Sequence, residues 1–307
     1  MTRRVRIIGL LAVLLVVGVA AVVWIITAPR PAFSRNEQQA LDLAGDADKG
    51  RLVFAAGDCA SCHASPGQPD RLRLGGGLAL SSPYGTFRVP NISPDPVDGI
   101  GTWHTVDLAN ALLSGVSPAN THYYPVFPYP SYTKMRWGDI RDLMAYLRTL
   151  PAVSGKPPPH DLSLPFNIRR FVAFWKILYL DRTPLPYDTA RGEVWNRGRY
   201  LTEAVAHCAE CHSSRNLFGA IKPSTRFAGG TDPEEVGFIP NITSSRIGNW
   251  KPEEVAELLK SGVTPDHGRV GSSMAEVVTN TAMLPQDDRD AIAAFIKSLP
   301  ARDTPRP

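Results

Sequence analysis

An internal repeat constrains this chain more than any other feature. The run D-K-G-R-L-V-F-A-A-G-D-C-A-S-C-H, ending at His63, returns as N-R-G-R-Y-L-T-E-A-V-A-H-C-A-E-C-H, ending at His212, with one residue inserted. Three further segments recur in the same order. R-V-P-N-I-S from Arg88 matches F-I-P-N-I-T from Phe238, and the Gly-x-Trp run around Trp103 matches the one around Trp250. D-I-R-D-L-M-A-Y-L-R-T-L-P from Asp139 matches D-R-D-A-I-A-A-F-I-K-S-L-P from Asp288. A chain of 307 residues built this way is expected to hold two copies of one small unit, read as residues 45–151 and 192–301.

Each copy carries one C-x-x-C-H unit: Cys59, Cys62 and His63 in the first, Cys208, Cys211 and His212 in the second. The chain has four cysteines, so none is left over. C-x-x-C-H is the attachment pattern of haem c. Two thiols add to the two vinyl groups of one porphyrin, and the adjacent His reaches the iron from one side. Zinc held by two C-x-x-C pairs would not need a His after each. A thioredoxin-like pair would occur once, after a strand. The expectation is two covalently bound haem c groups, with His63 and His212 as iron ligands.

The periodicity within each copy is helical. Val106, Leu108, Ala109, Leu112 and Leu113 recur at helical spacing, as do Val255, Leu258 and Leu259. The closing helices carry Ile140, Leu143, Met144 and Leu147 in one copy and Ile292, Phe295, Ile296 and Leu299 in the other, stopped by Pro151 and Pro300. Sustained strand alternation is missing. Three short helices around a haem form the class I cytochrome c arrangement, so the expected fold is all-α, with two tandem domains of that class.

The N-terminus reads differently. Residues 7–27 are uncharged and follow Arg3, Arg4 and Arg6. As a helix they span roughly 32 Å, enough for a bilayer core of about 30 Å. The positive-inside rule places residues 1–6 in the cytoplasm and the rest of the chain outside. The apolar core of a cleaved signal peptide is about 7–15 residues, shorter than this run. An uncleaved single-pass anchor in a bacterial cytoplasmic membrane is therefore expected, with the haem domains in the periplasm. A net charge of +4, spread along the chain, gives no case for nucleic acid. Between the copies, residues 152–191 hold a proline-rich linker and an apolar run from Phe166 to Leu180 that is too short to cross a membrane. That run reads either as a helix packed across both domains or as a surface that presents Phe171, Phe174 and Trp175 to a partner or a membrane.

The sixth iron ligand separates a carrier from an enzyme. A Met opposite the His closes the iron and raises its potential, whereas an open position suits small-molecule chemistry. Five Met are present. Met144 falls on the apolar face of the closing helix, which leaves Met135 as the ligand expected for the first haem. For the second haem Met274 is preferred, with Met283 as the alternative, because Met274 has more loop with which to reach an iron. His104 and His122 at the first haem, or His267 at the second, would instead make a bis-His site. Pro90 and Pro240 recur in matching places. Each is either a carbonyl partner for the His below the iron or a turn shared by both copies.

Taken together, R-G-R-Y-L-T-E with H-C-A-E-C-H, P-N-I-T with I-G-N-W, Y-Y-P-V-F-P-Y-P-S-Y-T-K-M and D-D-R-D-A-I-A-A-F-I-K-S-L-P resemble the cytochrome c subunits of bacterial membrane-bound alcohol and gluconate dehydrogenases. The resemblance covers about residues 45–301. Members usually carry three haems where this chain has two, and often A-M-P-Y where this chain has Val126-Phe127-Pro128-Tyr129. It implies an electron-transfer subunit that takes electrons from a periplasmic dehydrogenase and passes them to quinone or a terminal oxidase of the respiratory chain. No substrate-binding motif is visible, so the chain is not expected to be an enzyme by itself. The alternative is a dihaem enzyme such as a cytochrome c peroxidase, which needs one iron open to peroxide.

Overall fold

The computed structural model describes residues 3–37, 44–232 and 237–305. Residues 1 and 2 of the basic N-terminus and 233–236 of the second repeat lie outside them. Helix α1 spans Arg3–Ile26 and buries none of its side chains against the rest of the chain. In the first repeat, α2 (Ala47–Ala56) leads into a single turn at Cys59–His63. Then come α3 (Thr105–Ser114), a turn at Tyr129–Tyr132 and α4 (Trp137–Leu147). The intervening segment contributes α5 (Val172–Tyr179). The second repeat supplies α6 (Gly192–Tyr200), α7 (Pro252–Ser261), α8 (Ser273–Thr281) and α9 (Gln286–Lys297).

A pair of crossed helices frames each repeat, and a glycine permits each crossing. A Cβ on Gly50 of α2 would stand 1.9 Å from the Asp142 carbonyl oxygen on α4. A Cβ on Gly198 of α6 would stand 1.8 Å from the Ala291 carbonyl oxygen on α9. Only residues without a side chain let these backbones touch. The glycines that open R-L-V-F and R-Y-L-T therefore set the same crossing twice.

The inserted residue of the second copy has a structural address. Between Gly198 and Cys208 the chain runs one residue longer than between Gly50 and Cys59. There α6 continues into a π-helical turn over Leu201–Val205, with the Ala206 N–H reaching back to the Leu201 carbonyl at 2.7 Å. A π-bulge absorbs one extra residue without breaking the helix. It returns the chain to the same entry into its C-x-x-C-H unit: Asp58 (φ 54°) and His207 (φ 42°) both take the left-handed conformation just before the first cysteine.

The helical expectation needs one addition. β1 (Ala79–Ser82), β2 (Gly85–Arg88) and β3 (Asp161–Leu162) form a small antiparallel sheet in that order. Gly230–Thr231 (β4) pairs with Phe238–Ile239 (β5). Strands of two to four residues are too short to show an alternating pattern in sequence. The interior also runs on from one repeat to the other. Phe54, Ile140 and Leu143 of the first belong to one buried apolar cluster with Leu201, Val255 and Ile292 of the second.

Candidate functional site

The two C-x-x-C-H units open onto one cavity of about 1990 Å³. Cys59, Cys62, His63, Cys208, Cys211 and His212 all line it, with Met135 and Met274. None of the four sulfurs is joined to another in a disulfide. Burial pushes the Cys59 and Cys208 thiols up to about 12 each, which marks the apolar setting of both sulfurs.

The same frame holds both histidines. His63 Nδ1 donates to the Pro90 carbonyl at 2.9 Å, and His212 Nδ1 donates to the Pro240 carbonyl at 2.8 Å. A carbonyl only accepts, so Nδ1 carries the proton and Nε2 keeps a free lone pair for a metal. Burial also pushes His63 down to about 4 and lowers His212, which keeps both rings neutral and ready to ligate. A glycine presses each proline into place. Gly76 (φ 68°) and Gly229 (φ 85°) donate their N–H to the His63 and His212 carbonyls at 2.9 Å each. A Cβ on either would strike the proline segment, at 2.5 Å from the Pro90 carbonyl oxygen or 2.6 Å from that of Ile239. Sequence reasoning passed over this pair; its one signal is a matching glycine run upstream of each P-N.

The asparagines of both P-N units are clamps. Asn91 is buried, accepts from the Ser93 N–H at 2.9 Å and donates to the Val153 carbonyl at 2.7 Å. Asn241 accepts from the Thr243 N–H at 2.7 Å and donates to the Arg302 carbonyl at 2.8 Å. Each ties the proline loop to the chain just beyond the closing helix. Trp103 and Trp250 of the Gly-x-Trp runs line the cavity as well, a role their use as helix markers did not reveal.

The methionines separate by position. Met135 is buried at the cavity wall, and Met274 is partly buried there. Met283 is 43% exposed and lies off the cavity wall. Met144 is buried in the core between helices, also away from the wall. His104, His122 and His267 do not line the cavity. His104 precedes α3, and both ring nitrogens of His122 are engaged, Nε2 with the Thr27 carbonyl at 3.1 Å and Nδ1 with Lys176 Nζ at 3.2 Å.

The two units meet back to back. The Gly57 carbonyl, two residues before Cys59, accepts from His207 Nε2 and from the Tyr132 hydroxyl, each at 3.3 Å. The Tyr132 and His207 rings stack edge to face at 5.6 Å. Asp58 is held by Ser61 Oγ at 2.6 Å and by Asn280 of α8, and burial raises its carboxyl above the usual range. Cysteine sulfurs, neutral ring nitrogens and thioethers facing one apolar cavity are a donor set suited to haem c.

The segment from Phe166 to Leu180 divides between the readings given above. Val172, Ala173 and Lys176 face inward, and Trp175 donates to the Phe218 carbonyl of the second repeat at 2.8 Å. Phe171 and Phe174 stay exposed.

Comparison with known proteins agrees with this geometry. The profile of the cytochrome c family matches residues 47–151. A dihaem c-type cytochrome of Cereibacter sphaeroides is 46% identical over 303 residues, covering 95% of this chain and 97% of that protein. The cytochrome c subunit of a quinone-dependent alcohol dehydrogenase from Gluconobacter oxydans is 32% identical over 82% of this chain, and that of a gluconate 2-dehydrogenase from Pantoea cypripedii is 31% identical over 85%. This chain spans 54% and 62% of those two subunits. With a relative matched along nearly its whole length, the chain belongs to the cytochrome c family.

Proposed function

We propose that this chain is a membrane-anchored dihaem cytochrome c that takes electrons from a periplasmic dehydrogenase and passes them to quinone or a terminal oxidase. The cofactor is haem c, and the chain carries two. When bound, each haem supplies a one-electron redox centre. The first would be held by Cys59 and Cys62, with His63 and Met135 on the iron; the second by Cys208 and Cys211, with His212 and Met274. Residues 45–151 and 192–301 are read as the two haem domains, 7–27 as the anchor and 152–191 as the segment that joins the domains. The relatives that are subunits of alcohol and gluconate dehydrogenases support a dehydrogenase as electron donor.

One observation carries this reading: in both repeats a proline-oriented His and a thioether face the same cavity, and the two attachment units touch at Gly57. With His63 and Met135 holding one iron and His212 and Met274 the other, both would be closed to peroxide and suited to electron passage. The chain's own part is to fix ring orientation, exclude water from the apolar cavity and hold the two attachment units against each other. Affinity purification of the haem-loaded chain from solubilised membranes tests the role. Co-purification of a dehydrogenase that reduces both haems is the expected result. High-spin iron with rapid peroxide turnover would replace this reading with the enzyme one.

A further inference from the structure

The last turn of α1 is fastened to the folded domain. Thr27 is buried, and its carbonyl accepts from His122 Nε2 at 3.1 Å. Arg170 Nε donates to Thr27 Oγ1 at 2.9 Å and a second Arg170 nitrogen donates to the Trp24 carbonyl. The Arg170 guanidinium lies 3.6 Å from the centre of the Trp24 ring. A few residues on, Phe33 N–H donates to Asn110 Oδ1 at 2.8 Å, and Asn110 Nδ2 returns a bond to the Phe33 carbonyl at 3.0 Å. The apolar helix is therefore clamped at its exit rather than hung on a loose tether.

Helix α5 begins two residues after Arg170, and its orientation is locked. Lys176 Nζ donates to the Ser114 and Gly115 carbonyls at 2.7 Å each, and Val172 packs with Phe87, Tyr124 and Leu162. This turns the opposite stripe outward: Phe171, Phe174 and Leu178 (69% exposed), which also border the cavity, and Ile177 (65% exposed), which lies beyond it. Their spacing is that of one helix face. The loop at Leu217 and Phe218 extends the stripe, since Phe218 lies 6.4 Å from Tyr179 and its carbonyl accepts from Trp175. Large apolar side chains in a contiguous exposed patch mark a surface that something covers.

We propose that the lipid interface covers it: α5 lies in the outer headgroup region, beside the point where α1 leaves the bilayer. This rests on reading α1 as a membrane anchor. The occupant follows from position. A 24-residue apolar helix places its last turn, with Trp24, at the outer boundary of the hydrocarbon. Arg170 binds that turn directly, so Phe171 and Phe174 sit within a turn or so of the same level. Aromatic and aliphatic residues on one face, with Arg169 and Arg170 leading in, are the composition of an interfacial helix. The consequence is orientation: two attachments to one membrane would fix which face of the haem domains a donor meets.

Spin labels on the full haem-loaded chain in vesicles of phosphatidylcholine and phosphatidylglycerol test this. Labels are placed singly at Leu178→Cys, at Leu14→Cys within α1 and at Val97→Cys on the first repeat, with intact haem spectra as the check on folding. Oxygen partitions into lipid and a charged nickel chelate stays in water. At Leu14 and Leu178 the accessibility ratio of oxygen to nickel is expected to rise several-fold on reconstitution, while Val97 stays water-like. Lipid accessibility at Leu14 with water accessibility at Leu178 would leave the anchor standing and overturn the interfacial helix. A label at Leu178 shielded from both reagents would mean a protein cover and would also overturn it. Water accessibility at Leu14 would overturn the anchor itself.

Discussion

Three thioethers are candidates for two irons, and their surroundings differ. Met135 and Met274 line the cavity, whereas Met283 is 43% exposed and lies off its wall. In the oxidised protein, Met135→Ala and Met274→Ala should each remove about half of the far-red band that reports Met–iron bonds, and Met283→Ala should leave it whole. An unchanged band in Met274→Ala would return the second haem to Met283. His160 offers a pH test. Its Nδ1 accepts from the Arg88 N–H at 3.0 Å, which requires a neutral ring, and burial together with the nearby Arg169 charge holds it down to about 4, from 6.5. Between those values the unfolded chain binds more protons than the folded one. The contribution of the ring to stability is therefore full above pH 6.5 and is lost as pH falls toward about 4. Urea midpoints compared at neutral and mildly acid pH should show that loss, and His160→Gln, which keeps an acceptor without a titrating ring, should flatten it. An equal slope in the variant would assign the pH dependence elsewhere. Much at this scale was legible in the sequence, because covalent attachment needs a fixed spacing of Cys and His. Tyr132, His207 and Gly76 were not, because their work depends on neighbours distant in sequence.

The repeated helix crossing is the element on which each haem site is built, and its glycines are open to a direct test. Gly198→Ala forces a Cβ into the Ala291 carbonyl, so it should cost about 1–3 kcal/mol or more, read from chemical unfolding. Gly138 in α4 meets nothing within 4 Å, and Gly138→Ala should be neutral or stabilising by up to about 1 kcal/mol through helix propensity. Equal effects of the two substitutions would show that the crossing tolerates separation. The helices themselves could be anticipated from apolar spacing and proline stops. The π-turn at Leu201–Val205 was visible only as an extra residue, because alignment of two copies reports an insertion without its geometry. The small strands escaped notice because β3, β4 and β5 have two residues each.

Across the whole molecule the question is whether two repeats behave as two bodies or as one. Sequence repetition suggests independent units, since each copy brings its own helices and attachment site. Their contact argues for coupling. Leu143 and Ile140 share one buried cluster with Leu201 and Ile292. Polar bonds rim that cluster: the Tyr200 hydroxyl donates to Asp139 and accepts from the Arg136 N–H at 3.0 Å, while Asn280 reaches Asp58 and, at 3.0 Å, Ser61. Arg71 and Glu276 add an ion pair across the same seam. Opening one repeat would strip apolar cover from the other, so a single cooperative transition is expected. The methionine variants make this measurable. In Met274→Ala the remaining far-red band reports the first repeat alone, and in Met135→Ala it reports the second. Each band should disappear at the same denaturant concentration as the far-ultraviolet helical signal of the same protein. Tyr200→Phe, which removes two bonds across the seam, should shift band and helix signal together, by about 1–2 kcal/mol. If a band were lost well before the helical signal, that repeat would unfold alone, and the attachment units at Gly57 would be free to part. Coincident loss would mean that the contact between the two haem sites lasts as long as the fold does, as an electron path through both requires.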